Sequence, residues 1–417
     1  MAQIEPLPAL HYDTSVVGAL EDVVAPPYDV IDMAQRAELL ARSQFNIVEI
    51  DLPKGDGDIY AEAAGVLDAW LTEGAMVRDP MPALWILEQA YVGPDGVART
   101  RRGFFCRVRL EDYGAGRVRP HERTHPGPKE DRLRLTRATK TNISPIFSLY
   151  SDPEQLAWSA LQPFTEKPVW GEVELDGVRN RLWRVHEEHA VKAVQSALAD
   201  RELLIADGHH RYETMRTYAE EVGGEGAHNY ILMCLVALED PGLEIFPTHR
   251  LVRGLDEARR TKLRELVERD FTVQEVALED LAPPAGRGPM TVGYIDSGHK
   301  RPLRLTLRDQ AIADAALSGY SPAYRELDTG VLETLVLRGA LGMSEEDIAE
   351  FNGMFYARDA REAIEMVGSG DYEAAFLMRP PPVRQVQEIA AAGENMPPKS
   401  TFFFPKLPTG LLLNPLV

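Results

Sequence analysis

The sequence predicts an α/β fold with mixed sheets, and three observations carry that expectation. Apolar runs of strand length alternate with stretches of helical spacing along the chain. Turn chemistry falls between strand-like runs, at Gly93-Pro94-Asp95-Gly96 and at Asp176-Gly177. Residues 203–214, Leu-Leu-Ile-Ala-Asp-Gly-His-His-Arg-Tyr-Glu-Thr, pass from an apolar strand through a one-glycine turn into a helix. An apolar fraction of 44% supports large cores, and 417 residues is a length for two or three domains.

The elements follow in order. Val23–Tyr28 is an apolar, proline-paired turn, and Asp32–Arg42 suits a short helix. Tyr60–Glu73 has helical spacing and stops near Gly74. Ala83–Val92 and Thr100–Leu110 form a hairpin. Leu110–Tyr150, rich in Arg, Lys, Pro and Gly, is expected to be loop with a short helix. A second hairpin spans Val173–Val185. His189–Leu198 (helix), Glu202–Ala206 (strand), Arg211–Glu221 (helix) and Tyr230–Leu238 (strand) make a compact α/β unit around the central turn. Leu281–Pro289 is a linker or surface loop, and Met290–Asp296 pairs with Leu303–Arg308. Leu327–Leu341 and Glu345–Phe351 are helical, and Ala374–Met378 is a short strand. The tail Met396–Leu411 carries prolines, three phenylalanines and Lys406, and is expected to pack back on the body. Domains are expected over 1–165 (α+β), 166–300 (the central α/β unit) and 301–417 (a C-terminal α/β part).

Charge and cysteine usage narrow the partners. A net charge of −20 argues against general nucleic-acid binding and against anionic membranes, which need a basic surface. No apolar run approaches the roughly 20 residues that span a bilayer. Cys106 and Cys234 lie in apolar, strand-like runs and read as buried thiols. With a start, Met-Ala-Gln-Ile-Glu-Pro, that lacks a signal peptide's basic and apolar regions, the expectation is a cytoplasmic chain. Oligomeric state is not legible.

The central turn carries the chemistry. A strand-to-helix turn aims backbone N–H groups and a helix dipole at one point, and an arginine there adds a fork for phosphate oxygens. Gly208 lets the backbone approach a ligand and take positive φ. Asp207 can orient a histidine or help bind Mg²⁺, His209 and His210 offer acceptors or cationic donors, and Arg211 binds phosphate. The plain alternative is a capped helix start with surface histidines.

Asp207-Gly208-His209-His210-Arg211-Tyr212 resembles the phosphate-binding helix start of the ParB/sulfiredoxin superfamily. Within it the motif is most similar to the free-serine kinases. That resemblance implies a ParB/sulfiredoxin-like central unit, a nucleotide or pyrophosphate donor, and a free amino acid hydroxyl such as serine as acceptor. The whole chain resembles the uncharacterised domain-of-unknown-function family 1015. The matching segments are Ala25–Ile31, His121–Thr124, Asn142–Phe147, Pro247–Arg250 and Met396–Thr401.

Other segments offer supporting groups. His121-Glu122-Arg123-Thr124-His125 matches a zinc-peptidase string, but that chemistry needs both histidines one turn apart on a helix. Pro120 before the string and Pro126-Gly127-Pro128 after it favour a loop carrying polar groups into a site. Residues 99–140 hold thirteen Arg or Lys against five Asp or Glu, a concentration of positive charge that draws a small anionic ligand. Lys129, Asp131 and Arg132 belong to it. Thr248-His249-Arg250 and the tail group Lys399, Ser400, Thr401 and Lys406 are each either a further polar wall or a strand end. No P-loop, dinucleotide-binding glycine motif or hydrolase nucleophile elbow is present.

The resulting expectation is phosphoryl transfer involving a small metabolite. Gly208, Arg211, Lys129, Arg132 and Lys399 would bind phosphate, with Asp207, His209 and His210 at the transferred group. Glu122 is the first candidate base, with Asp29 the second, and Mg²⁺ is loosely held. Two alternatives stay open: a non-catalytic ParB-like nucleotide-binding regulatory module, and a metal-dependent hydrolase using the histidines.

Overall fold

The computed structural model describes residues 3–113, 117–122 and 126–417. It divides into two compact units. Unit one holds Met1–Pro120, Thr124–Leu243 and Pro405–Val417; unit two holds His121–Arg123 and Glu244–Phe404. These units cut across the three stretches read from the sequence, because one sheet joins strands from both sides of residue 165.

That sheet is the frame of unit one. Its strands are β1 (Ile4–Glu5), β2 (Leu84–Val92), β3 (Ala98–Arg109), β4 (Val118–Arg119), β5 (Ile146–Tyr150), β6 (Gly171–Leu175), β7 (Val178–Val185), β8 (Leu203–Asp207) and β9 (Tyr230–Ala237). The spatial order is β4-β8-β5-β9-β3-β2-β7-β6, with β1 beside β3. The β4–β8 and β5–β9 pairs are parallel and the rest antiparallel, so the sheet is mixed.

Both hairpins form. Asp176 and Gly177 take φ of 51° and 73°, the geometry that matches the twist of a two-residue hairpin turn. β9 is buried along nearly its whole length, as its unbroken apolar run requires. β8 and β9 are not neighbours, however: β5 lies between them, antiparallel to one and parallel to the other.

The helices of unit one that bear on the site are α1 (Met33–Arg42), α2 (Val48–Asp51), α3 (Ile59–Glu73), α4 (Pro126–Thr139), α5 (Glu188–Leu198) and α6 (His209–Val222). Asp32 and Asp58 cap α1 and α3 by accepting from backbone N–H groups. Gly74 ends α3 in the left-handed region. The short helix expected within 110–150 is α4, and it runs longer than expected, to 14 residues. Its prolines fall in the first turn, where no intrahelical N–H is lost. Its inward face is built from Arg132, Leu133, Leu135 and Thr136. The part of the expected tail from Pro405 on packs back on unit one, where Thr409 bridges to Ala25, and Asn414–Pro415 beyond it pairs with Thr141–Asn142. Cys106 and Cys234 are buried free thiols.

Unit two is framed by an antiparallel sheet of β10 (His249–Val252), β11 (Phe271–Glu275), β12 (Thr291–Asp296), β13 (Leu303–Leu307), β14 (Met354–Ala357) and β15 (Ala374–Met378). The order is β11-β13-β12-β15-β10-β14. Its core gathers Leu251, Ile295, Ala375 and Leu377 with Leu281, Ala363 and Val367. Helix α7 (Glu257–Asp270) starts on Asp256, whose side chain accepts from the Arg259 N–H. The helix expected over 327–341 is a short α-turn running into a π-helical stretch, Leu332–Ala340. Among the described residues no helix is long and apolar enough to cross a membrane.

Candidate functional site

The site begins where β8 ends. The register of β8 against β5 shifts between Ile205 and Asp207, a bulge-like irregularity of the kind that re-aims a side chain at a strand end. Gly208 follows with φ of 101°, and His209 opens α6. A Cβ at Gly208 would lie 3.1 Å from the Arg211 guanidinium, so glycine is needed both for the turn and for the arginine folded back over it.

Three cations gather around one carboxylate. Arg211 Nη2 donates to Asp207 Oδ2 at 2.6 Å, and Lys406 Nζ donates to Asp207 Oδ1 at 2.5 Å. Burial opposes ionisation of Asp207, but Lys406 and Arg211 outweigh it and hold the carboxyl well below its usual range. Arg211 Nη1 donates to the Pro145 carbonyl. The third cation is Arg101 of β3, 1% exposed and within electrostatic reach of Asp207. Burial pushes its pKa down to about 10.

Arg101 belongs to a buried polar row across three strands, since Gln89 sits opposite both Arg101 and Asn180. Arg101 Nε donates to Gln89 Oε1 at 3.1 Å, and Gln89 Nε2 to Asn180 Oδ1 at 2.8 Å. Arg101 Nη2 donates to the Pro405 carbonyl at 2.6 Å, and the guanidinium lies 4.4 Å over the Phe147 ring. No carboxylate pairs directly with it among the described residues. Two buried guanidinium donors, Arg211 Nε and Arg101 Nη1, have no hydrogen-bond partner. A buried donor left unpaired costs about 1–3 kcal/mol, so each of the two is open to an oxyanion's oxygen.

Beside Arg211 lies a cavity of about 40 Å³ lined by Tyr28, Asp51, Arg132, Asn142, Ser144 and Arg211, among others. Asp51, at the end of α2, accepts from Arg132 Nη1 at 2.9 Å and from Ser144 Oγ at 3.2 Å. Burial raises its pKa against the pull of Arg132 and Arg211. Arg132 lies 4.4 Å over the Tyr28 ring. Exposed Asp29 is within electrostatic reach of Arg211.

The other expected residues divide between the units. His209 is buried, 6% exposed, and its charge bears on Asp207; His210 is half-buried. Arg211 does not present the open fork expected of it, because two of its nitrogens are already engaged. Lys129 is not a free positive wall: it donates to Glu213 at 2.9 Å, tying α4 to α6. Arg132 is enclosed by Asp51 and Asp131.

His121, Glu122, Thr248, His249, Arg250, Lys399, Ser400 and Thr401 all belong to unit two. His121 and Glu122 are not helical, which removes the one-turn spacing a zinc-peptidase motif requires; Arg123, Thr124 and His125 lie outside the described residues. His121 Nε2 and Thr401 Oγ1 are 3.0 Å apart. His249 and Arg250 do not end a strand: they begin β10, which is paired on both sides. The Met378 N–H donates to His249 Nδ1 at 3.1 Å, and Arg250 donates to the carbonyls of Thr248, Pro398 and Lys399. Ser400 is bonded to the Pro397 carbonyl and to Thr329, while Lys399 is exposed.

Sequence reasoning missed Arg101 and Asp51. The one available signal for Arg101 was its place in an alternation with Gly103 and Phe105 in a strand. Among the described residues no three His, Cys, Asp or Glu side chains are arranged to hold a metal ion.

Among solved structures, the chain is similar to a conserved hypothetical protein from Pyrococcus furiosus at 15% identity and a TM-score of 0.36, covering 71% of this chain and 92% of that one. It is similar to a free serine kinase in complex with AMP at 15% identity and a TM-score of 0.35, covering 71% and 89%. It is also similar to SbnI with a C-terminal truncation from Staphylococcus aureus at 9% identity and a TM-score of 0.37, covering 70% and 82%. These overlaps are too low to carry a residue's role from one chain to the other. No curated protein matches the chain. The family model described as "protein of unknown function (DUF1015)" matches residues 4–330, and the chain belongs to that family.

Proposed function

We propose that unit one performs phosphoryl transfer involving a small metabolite. The leading acceptor is a free amino acid hydroxyl such as serine, and the donor is a nucleotide or pyrophosphate. The observation that carries this reading is the trio Arg101, Arg211 and Lys406 around Asp207, with two buried guanidinium donors unpaired. The acceptor class rests on the resemblance of the Asp207–Tyr212 motif to the free-serine kinases.

Phosphoryl transfer asks a protein mainly for positioning and charge neutralisation. Arg211 Nε, Arg101 Nη1 and the N-terminus of α6 would take oxygens of the donor phosphates. Asp207 would hold Arg211 and Lys406 in place. The 40 Å³ cavity has room for a few waters or one phosphoryl-sized group, so a donor's base and sugar would lie outside it.

The acceptor oxygen forms the new bond to phosphorus as the bond to the leaving phosphate breaks. Its proton passes to a carboxylate, for which Asp29 is the candidate in unit one. The described donor set does not fit a dedicated Mg²⁺ cage, since Asp207 is taken by two cations, and no step is assigned to that ion.

The test is incubation of the full chain with ATP or pyrophosphate and L-serine, with O-phosphoserine followed by ³¹P NMR. Product is expected from one donor and should be lost in Arg211→Ala. An Arg211→Ala protein of undiminished activity would end the assignment. Asp29→Asn should lower turnover with little change in donor affinity.

A further inference from the structure

Unit two contains a cavity of about 350 Å³ that the reading above does not use. It lies between α7 and one face of the sheet. On α7, Arg260, Leu263, Arg264, Val267 and Glu268 recur at spacings of three and four and share one side of the helix. On the sheet, Leu305 is opposite Val273 and Leu303 is opposite Tyr294. Leu303 and Leu305 are two residues apart, so all four side chains stand on the same face.

Leu263 and Leu305 are buried, yet Val273 on that face is 46% exposed, so the helix does not close over the strands. The size falls within the range of small-molecule sites, and the composition does too: an apolar floor with a few placed polar groups.

Glu268 lines the cavity as well, and among the described residues it makes no ion pair with Arg260 or Arg264. Asp296 is already engaged. It accepts from the N–H groups of Gly298 and His299 at 2.8 and 2.7 Å, and it is bonded to the Tyr294 side chain. Arg301 is paired with Glu275. Arg260 has no carboxylate partner among the described residues: its Nε donates to the Leu255 carbonyl at 3.0 Å. Arg264 reaches Glu257 only at 3.9 Å. Two guanidinium groups one helical turn apart therefore border an apolar floor, neither of them held in a close ion pair.

We propose that this cavity binds a small amphipathic anion, a carboxylate with an aromatic or branched apolar body. The body packs on Leu263, Leu303 and Leu305, and the carboxylate meets Arg260 and Arg264. The site is independent of the phosphoryl-transfer reading and stands whether or not that reading does.

Calorimetric titration of the full chain with 3-phenylpropanoate tests it, with 3-phenylpropanamide as the uncharged match. The acid should bind saturably, and the amide about tenfold more weakly or worse. The double variant Arg260→Gln, Arg264→Gln removes both charges and with them the Arg260–Leu255 hydrogen bond. It should lose about tenfold or more in affinity for the acid, with its melting temperature lowered by only a few degrees, about the worth of one hydrogen bond. Leu303→Trp, which fills the floor, should abolish binding without altering pyrophosphate affinity. Equal binding of acid and amide, wild-type affinity in the double variant, or no saturable heat up to about 10 mM would each overturn the proposal.

Discussion

In unit one, Arg101 and Arg211 each keep a buried donor with no acceptor. In unit two, Arg250 is buried, 3% exposed, and gives its N–H groups to three backbone carbonyls. The neighbouring histidines differ in the same way. His209 lies in the electrostatic field of Asp207 at a helix start, whereas His249 sits inside a strand and accepts from a backbone N–H. As strings, Asp-Gly-His-His-Arg and Pro-Thr-His-Arg both set histidine beside arginine, groups that suit an anion. Hydrogen-bond satisfaction separates these two arginines: Arg250 is spent on backbone carbonyls, while Arg211 keeps Nε unbonded beside Asp207 and Lys406.

The largest expected effect breaks this contrast directly. Arg211→Ala should weaken pyrophosphate binding by about 100-fold or more, the scale of truncating one partner of a buried charge pair. Arg250→Met should leave that affinity unchanged while lowering stability by about 2–3 kcal/mol, because carbonyls lose their donor. Calorimetry and denaturant titration on both variants decide between the two roles. Equal losses of affinity would erase the distinction.

Acid sharpens it next. Burial first, then Arg250, depresses the His249 pKa to about 4. The unfolded imidazole titrates near 6.5. The stability of the neutral ring is therefore whole above about pH 6.5 and lost as pH falls toward about 4. Between about pH 7.5 and 5 the loss should be about 2 kcal/mol, and His249→Asn should flatten that slope in thermal melts at the two pH values.

Smaller effects follow. Gly208→Ala forces an L-residue to φ of 101° and crowds Arg211, which should cost about 1–3 kcal/mol of stability and some pyrophosphate affinity together. Lys129→Ala removes a half-exposed ion pair with Glu213 and should change stability by about 0.5 kcal/mol, with binding untouched. A large loss of binding there would restore Lys129 to the site.

What the sequence made legible was local. The hairpin at Asp176-Gly177, the end of α3 at Gly74 and the strand–turn–helix at Asp207-Gly208-His209 each depend on neighbouring residues, and each formed. The short helix expected within 110–150 had no legible bounds, because two of the buried inward residues of Pro126–Thr139, Arg132 and Thr136, are polar. Lys406 was visible only as a tail cation; its pairing with Asp207 crosses 199 positions of sequence. Arg101 looked like one of thirteen solvated cations. Its burial is set by Gln89 and the Pro405 carbonyl, partners that strand register and the returning tail supply. Local chemistry thus placed the turn, and long-range pairing completed the charge around it.

A crystal structure of the full chain grown with ADP puts the central claim to its most direct trial. A phosphate oxygen should stand at about 2.9 Å from Arg211 Nε or Arg101 Nη1, beside an intact Asp207–Lys406 pair. Density for the nucleotide away from Asp207, with both guanidinium donors still unbonded, would contradict it.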